Sequence, residues 1–110
     1  MTNGGTLFGE AKFGIGDVIH HSKFDYRGVV VDVDACFRGG DEWYEKVALS
    51  RPPKEHPWYH VLVDGADHTT YVAERHLEVD RSGEPIRHPL LERFFDVFCD
   101  GRYQRQSSLN

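Results

Sequence analysis

Apolar residues along the chain recur mainly in short runs rich in β-branched and aromatic side chains, a pattern typical of pleated, largely buried strands. Gly14 and Gly16 alternate with apolar residues and predict a tight turn before the first run. The step Asp64-Gly65 between two later runs predicts a β-hairpin. The pattern therefore predicts four strands and a short fifth strand at a sheet edge: Val18–His21, Val29–Asp34, Trp58–Val63, Thr69–Ala73 and Leu77–Val79.

Two segments have helical spacing instead. Asp41 is predicted to cap a short helix that runs to about Leu49 and ends before a proline-rich loop. Pro89 suits the first position of a second helix, which is predicted to end at Gly101. Its apolar residues recur at spacings of three and four and form a stripe of Leu90, Leu91, Phe94, Phe95 and Phe98.

These elements predict a mainly β fold with some α structure. The expected architecture is a small half-open, SH3-like pseudo-barrel of about five antiparallel strands, with one short inserted helix and a capping C-terminal helix. A chain of 110 residues without internal repeats forms one domain of ordinary size. We place this domain at residues 12–99, between a flexible N-terminus (residues 1–11) and a flexible tail (residues 100–110).

The charge balance disfavours strong sequence-independent binding to nucleic acid. The chain has 13 Lys and Arg against 18 Asp and Glu, which gives a net charge of −5. A protein that depends on phosphate contacts usually has a basic face. No apolar run is long enough to span a bilayer, and residues 1–5 lack the features of a signal peptide, so the sequence predicts a cytoplasmic protein without membrane contact.

The sequence contains no recognisable catalytic or metal-binding pattern. Cys36 and Cys99 match neither a disulfide framework nor a zinc motif, and we expect both to be reduced and partly buried. The seven histidines do not supply three or four convergent ligands. Asp32 and Asp34 could be paired acids on one strand face, but a solvent-facing strand end explains them better. We expect a protein that is not an enzyme and holds neither a metal nor a cofactor.

A binding role is the remaining hypothesis, and two proline-containing loops could provide the contact surface. The loop from Arg51 to Trp58 combines rigid backbone, basic groups and an indole ring. The loop from Arg81 to His88 is the second. The candidate macromolecule-contact residues are Arg27, Arg51, Lys54, His56, Trp58, Arg75, Arg87 and His88.

An ordered set of segments also carries a family resemblance. The segments are Lys12–Gly16, Phe24–Asp34, Glu42–Tyr44, Arg51-Pro52, His56–Leu62, Tyr71–Glu74 and Gly83–Pro89, at consistent spacing. Together they resemble the HspQ/YccV-like family of small bacterial heat-shock proteins. The resemblance implies a pseudo-barrel capped by a helix, a heat-inducible cytoplasmic protein and a homo-oligomer. It implies no catalytic residues.

The resemblance also implies two kinds of partner, and it leaves three hypotheses. The first is a regulator that binds Lon protease and its protein substrates. The second is a module that binds hemimethylated DNA, which would need Arg27, Arg51, Lys54, Arg75 and Arg87 on one face. The third is a structural oligomer without a ligand of its own. The acidic charge and the many aromatic residues favour the first hypothesis. The N-terminal extension and the tail from Cys99 depart from the family pattern.

Overall fold

The computed structural model describes residues 11–48 and 51–105. Five strands of these residues form one antiparallel sheet: β1 (Val18–His21), β2 (Arg27–Asp34), β3 (Trp58–Val63), β4 (Thr69–Ala73) and β5 (Leu77–Val79). Their order in the sheet is β4-β3-β2-β1-β5. All five predicted strands are confirmed, and β5 lies at an edge as expected. The first strand-forming residues follow the predicted turn, in which the amide of Asp17 donates to the carbonyl oxygen of Gly14 (3.0 Å).

The sheet is curled, and the described residues do not close it into a barrel. The register between β2 and β3 shifts between Val30 and Asp32, and such a bulge bends a strand and increases its twist. Gly28 allows a close approach to β3, because a Cβ atom there would lie 2.6 Å from the carbonyl oxygen of Leu62. The structure confirms the predicted mainly β fold with some α structure, and the sheet is open, as a half-open pseudo-barrel requires.

Both faces of the sheet are buried, which explains why β2 is a nearly continuous run of valines. Val29 and Val30 point to opposite faces and are both fully buried. Val29 packs with Leu62 and with the C-terminal residues Ile86, Phe95 and Tyr103. On the opposite face Val30 packs within the curled sheet itself, in a cluster with Ile19, Tyr59, Val61, Val72 and Leu77.

A short helix, α1 (Asp41–Val47), lies between β2 and β3. Gly40 occupies the N-cap position and Asp41 is already the first helical residue, so the predicted Asp41 cap was displaced by one position. The Asp41 carboxylate instead lies 3.5 Å from the ammonium group of Lys54, in the following loop. Leu49, the predicted end of this helix, lies outside the described residues. Neither helix of the described residues is long and apolar enough to cross a membrane.

The predicted C-terminal helix was wrong over most of its length. Helix α2 contains just Leu91–Phe94, and a two-stranded sheet of β6 (Val97–Cys99) and β7 (Arg102–Gln104) follows. The two turn residues, Asp100 and Gly101, both have positive φ (56° and 76°). An Asp-Gly step with this geometry forms a tight hairpin turn, and it outweighed the helical spacing of the phenylalanines.

This hairpin belongs to the domain. Tyr103 is buried against Phe95 and Phe98, and its hydroxyl accepts a hydrogen bond from the amide of Ile86 (2.8 Å). The amide of Tyr103 donates to the carbonyl oxygen of Gly16 (2.9 Å), which ties the hairpin to the start of β1. The boundary predicted after residue 99 therefore cuts through a folded element. Residues 1–10 of the predicted flexible N-terminus and the last residues of the predicted tail, 106–110, lie outside the described residues.

Candidate functional site

A groove of about 610 Å³ lies between β4, the β1–β2 turn and α1. All five residues of β4 line it. Because successive residues of a strand point to opposite faces, a groove lined by every one of them must run along the edge of the strand. The other lining residues are His21, Lys23, Phe24, Tyr26, Trp43, Val47, Ala48, Trp58, His60 and His76. We call this feature the β4 groove.

The β1–β2 turn forms one wall of the β4 groove and is organised by His21. Nδ1 of this buried histidine accepts hydrogen bonds from the amides of Lys23 (3.1 Å) and Phe24 (3.0 Å). Its ring stacks on those of Phe24 (4.8 Å between centroids) and His76 (5.4 Å). Burial, with His76, His20 and Lys23 nearby, lowers the pKa of His21 to about 4. A neutral imidazole therefore holds Lys23 and Phe24 in place at neutral pH.

The opposite wall is an aromatic cluster built from α1, β3 and β4. Trp58 is 1% exposed, and its indole N–H donates to the carbonyl oxygen of Pro53 (3.1 Å). Tyr71 lies 5.2 Å from Trp58 and 5.9 Å from Trp43, measured between ring centroids. The Tyr71 hydroxyl donates to the Asp34 carboxylate (2.7 Å), and burial, together with that hydrogen bond, raises the pKa of Tyr71. Hydrogen bonds to Pro53 and Asp34 thus fix the polar atoms of Trp58 and Tyr71 in this wall.

Two exposed apolar side chains flank the β4 groove. Phe24 is 68% exposed and Val47 is 56% exposed, although large apolar residues are usually covered in a folded domain. Both lie on the rim of the same concave surface. Exposed apolar groups that gather around a groove are typical of a binding site rather than of ordinary surface.

The charge of the β4 groove is opposite in sign to that of the whole chain. Among the described residues, its lining contains Lys23, His21, His60 and His76 but no carboxylate side chain, whereas the chain has a net charge of −5. The Asp34 carboxylate contacts this lining, because it accepts hydrogen bonds from Tyr71 (2.7 Å) and from Nε2 of His60 (3.2 Å). The groove is thus aromatic, apolar and weakly basic.

Arg27, the first predicted contact residue, lies in an ion-pair network instead. Its guanidinium contacts Asp80 (3.1 Å) and Asp64 (3.2 Å) and also donates to the carbonyl oxygens of Glu84 and Pro85. Burial alone would raise the pKa of the Asp80 carboxyl, but the hydrogen bonds from Arg27 and Ser82 outweigh burial and lower it. Arg27 therefore anchors the loop before Ile86 to β2.

The predicted residues of the proline-rich loop lie near one another beside α1. Arg51 contacts Glu45 (2.7 Å), and Lys54 contacts Asp41 and the face of the Tyr44 ring (4.4 Å to its centroid). His56 is exposed. Trp58 belongs to the wall of the β4 groove, so it is the one member of the predicted set in that lining.

The remaining predicted residues lie in other places. Arg75 is exposed in the 3-10 turn Glu74–His76, between β4 and β5. The amide of Arg87 donates to Asp64 (2.8 Å), and Nε2 of His88 lies 3.0 Å from the carbonyl oxygen of His68. Arg27 and Arg87 thus share Asp64, whereas Arg51 and Lys54 contact α1.

Several lining residues were not predicted, among them Lys23, Phe24, Tyr26, Val47 and His76. One local signal was available, because Phe24 is a large apolar residue within the otherwise polar turn Ser22–Asp25. The contact between this turn and β4, such as the 2.7 Å hydrogen bond between the hydroxyls of Tyr26 and Thr70, depends on the curl of the sheet. Local sequence patterns do not show such long-range contacts.

The structure also groups three potential metal donors that the sequence analysis did not bring together. Donor atoms of Asp32, Asp34 and His60 lie within 4.8 Å of one another. Asp34 already accepts from Tyr71 and His60, and Asp32 accepts from the amide of Val33 (2.9 Å). These hydrogen bonds give the grouping a structural role. Cys36 is half-buried as expected, but Cys99 is exposed.

Comparison with protein families shows to which family the chain belongs. The family model described as "Hemimethylated DNA-binding protein YccV like" matches residues 11–102. The chain belongs to the YccV-like family. The match includes the β4 groove and most of the C-terminal hairpin, and it confirms the resemblance predicted from the ordered segments. The family is described by a binding activity rather than by a reaction.

Proposed function

We propose that this YccV-like protein is a non-enzymatic, cytoplasmic regulator of the heat-shock response that binds other proteins and modulates Lon-dependent proteolysis of selected substrates. The observation that carries this proposal is the β4 groove, which combines a free strand edge, an aromatic wall and the exposed side chains of Phe24 and Val47. Free strand edges and aromatic grooves are the surfaces that many proteins use to bind peptide segments.

The electrostatics of the predicted contact residues also support a protein partner. Arg27, Arg51 and Lys54 each contact a carboxylate of the same chain, so their charge is partly neutralised. Binding to duplex DNA depends on cations that are available to phosphates. A groove that is mainly apolar and aromatic suits a polypeptide better than a phosphate backbone.

The direct experiment is the degradation of a labelled Lon substrate by purified Lon, with and without this protein at increasing concentration. We expect faster loss of the substrate, with the protein's own decay followed in the same reactions. The matched variants are Phe24→Ser in the β4 groove and Val79→Ser on β5, whose side chain is similarly exposed (59%) but outside the groove. An unchanged rate at every concentration would remove the proposal.

Binding to hemimethylated DNA is the second candidate, and the description of the matched family favours it. Exposed cations such as Arg75 and Arg87 would contact the phosphates. The test is a gel shift with hemimethylated, fully methylated and unmethylated duplexes of one sequence at several salt concentrations. This candidate predicts tighter binding to the hemimethylated duplex that weakens as salt rises. Equal binding to the three duplexes would exclude recognition of methylation.

Self-association remains a prediction. Both β4 and β5 lie at the ends of the sheet, and a free edge can pair with another chain. Light scattering after size-exclusion chromatography measures the mass directly. A monomer at all concentrations would contradict the expected homo-oligomer and, with it, the hypothesis of a purely structural oligomer.

A further inference from the structure

We propose that the β4 groove binds an extended, acidic segment of a partner protein that carries alternate apolar side chains and pairs as an added strand with β4. This inference rests on the proposed function, because it names the chemistry of the partner for the same groove. It is carried by three features of the described residues: the free edge of β4, the charge of the lining and the exposed apolar rim.

The outer edge of β4 can accept a strand. β4 pairs with β3 and ends the sheet, so half of its backbone groups face away from β3. Among the described residues, the loop hydrogen bonds nearest this strand lie beyond its ends, from Val63 to His68 and from Glu74 to Pro57. Thr69 is exposed and Thr70 and Tyr71 are half-buried, whereas Val72 and Ala73 are buried, so a partner segment would pair along the first three residues of β4.

The charge of the groove lining determines whether the bound partner segment should be acidic or basic. Lys23 is a full positive charge at the groove wall, and its amide is fixed by His21. Nε2 of His60 already donates to Asp34, and among the described residues the lining contains no carboxylate side chain that would attract a basic segment. The positive charge of Lys23 attracts an acidic segment to the groove and repels a basic one.

The exposed apolar side chains on the rim of the groove indicate that the partner segment carries apolar residues. Phe24 stands on one side of the groove and Val47 on the other, next to Trp43. In an added strand alternate side chains point to the same face. Alternate apolar residues would therefore contact the aromatic wall, while the acidic residues between them face Lys23 or solvent. Aromatic anchors of this kind usually contribute most of the binding energy.

The test uses the whole protein and a fluorescein-labelled probe peptide of about nine residues. Its sequence alternates valine and glutamate around a central phenylalanine. A second peptide replaces every glutamate with lysine. Two further peptides carry N-methyl groups on one or the other set of alternate amides, since the set that faces β4 depends on register. Fluorescence anisotropy measures the affinity of each peptide for the wild type and for Phe24→Ser, Lys23→Glu and Val79→Ser.

We expect the acidic peptide to bind at least about tenfold more tightly than the lysine peptide, a difference typical of favourable charge placement. One N-methylated peptide should lose binding and the other should retain it. Phe24→Ser should weaken binding by about tenfold, Lys23→Glu should reverse the preference for charge, and Val79→Ser should bind as the wild type does. Both groove variants alter exposed side chains, so circular dichroism should show an unchanged fold.

Equal affinity for the acidic and lysine peptides, or equal affinity for both N-methylated peptides, would overturn the inference. Stronger binding of single-stranded DNA than of the acidic peptide would also overturn it. The proposed function fails separately. If the peptide binds as expected but the protein leaves Lon activity unchanged, the groove binds peptides and the Lon proposal is wrong. If Phe24→Ser abolishes a Lon effect although no peptide binds, the Lon proposal stands and the peptide chemistry is wrong.

Discussion

Two neighbouring histidines on β1 show how strongly a side chain's surroundings decide its role. His20 lies between the carboxylates of Asp25 and Glu78, at 2.7 Å from each, and the hydrogen bonds that its ring donates to them raise its pKa. His21 points to the other face, where burial lowers its pKa to about 4. Successive residues of a strand point to opposite faces, but this alternation does not show which of the two rings organises the wall of a groove.

The pKa of His21 predicts a loss of stability in mild acid. A base whose pKa is lowered on folding stabilises the native state fully above its unfolded pKa of 6.5, and this contribution falls as pH decreases toward 4. We expect the free energy of unfolding to fall by about 1–3 kcal/mol over this range. Urea denaturation at several pH values measures it.

The matched variant for this prediction is His21→Asn, whose side-chain oxygen can still accept the amides of Lys23 and Phe24 but does not titrate. The wild type should lose more stability than this variant between pH 6.5 and 4. Parallel pH profiles for the two proteins would show that His21 is not the titrating group. His20 contributes with the opposite sign, because a group whose pKa is raised on folding adds stability as pH falls through its folded pKa toward 6.5.

A second prediction at the residue scale concerns Arg27. Arg27→Met leaves the 8%-exposed carboxylate of Asp80 without its ion-pair partner. Because an uncompensated buried charge is costly, we expect a loss of about 3 kcal/mol of unfolding free energy. Arg81→Met is the control, since this exposed residue should change stability by less than about 0.5 kcal/mol. If Arg27→Met kept full stability and lost binding to DNA, Arg27 would be a contact residue after all.

At the scale of elements, local chemistry predicted the strands well because their signals are short-range. The bounds of β3 and β4 match the predicted runs, and Asp64-Gly65 supplies the turn between them, with Gly65 at a φ of 78°. The prediction for the C-terminal segment was wrong because two sequence signals favoured different structures. The spacing of its phenylalanines indicated a helix, whereas Asp100-Gly101 indicated a hairpin, and burial of Tyr103 against the main sheet decided between them.

The contact between the C-terminal hairpin and β1 gives a prediction for Gly16. This residue has a φ of 98°, and a Cβ atom there would collide with the carbonyl oxygen of Tyr103. We expect Gly16→Ala to lower the unfolding free energy by about 2 kcal/mol or more, through backbone strain and loss of this contact. Thermal denaturation followed by circular dichroism measures the effect.

Gly14→Ala is the matched control for Gly16→Ala. A Cβ atom on Gly14 would lie 3.6 Å from the side chain of Arg102, which is an ordinary contact. We expect a change within about 1 kcal/mol for this variant. Equal melting temperatures for the two variants would mean that the hairpin does not dock on the turn before β1 as the structure shows.

At the scale of the whole molecule, the family, the mainly β fold and the absence of a recognised catalytic pattern followed from the sequence, but the location of the candidate site did not. Trp58 is in the predicted contact set and in the lining of the β4 groove, whereas Arg27 stabilises the fold. The groove forms where the β1–β2 turn meets β4, and the contacting residues Tyr26 and Thr70 are 44 residues apart in the sequence. Such a contact requires the curl of the entire sheet, which local spacing does not encode.

The measurement that tests the central claim most directly is site-specific photocrosslinking. p-Benzoylphenylalanine replaces Phe24 on the rim of the β4 groove in one variant and Val79 on β5 in another, two exposed positions. Each variant is irradiated with Lon, a labelled substrate and a hemimethylated DNA duplex, and mass spectrometry identifies the captured molecule. We predict crosslinks to Lon or to the substrate from position 24 and not from position 79. Equal capture from both positions, or capture of hemimethylated DNA alone from position 24, would contradict the β4 groove as a protein-binding site.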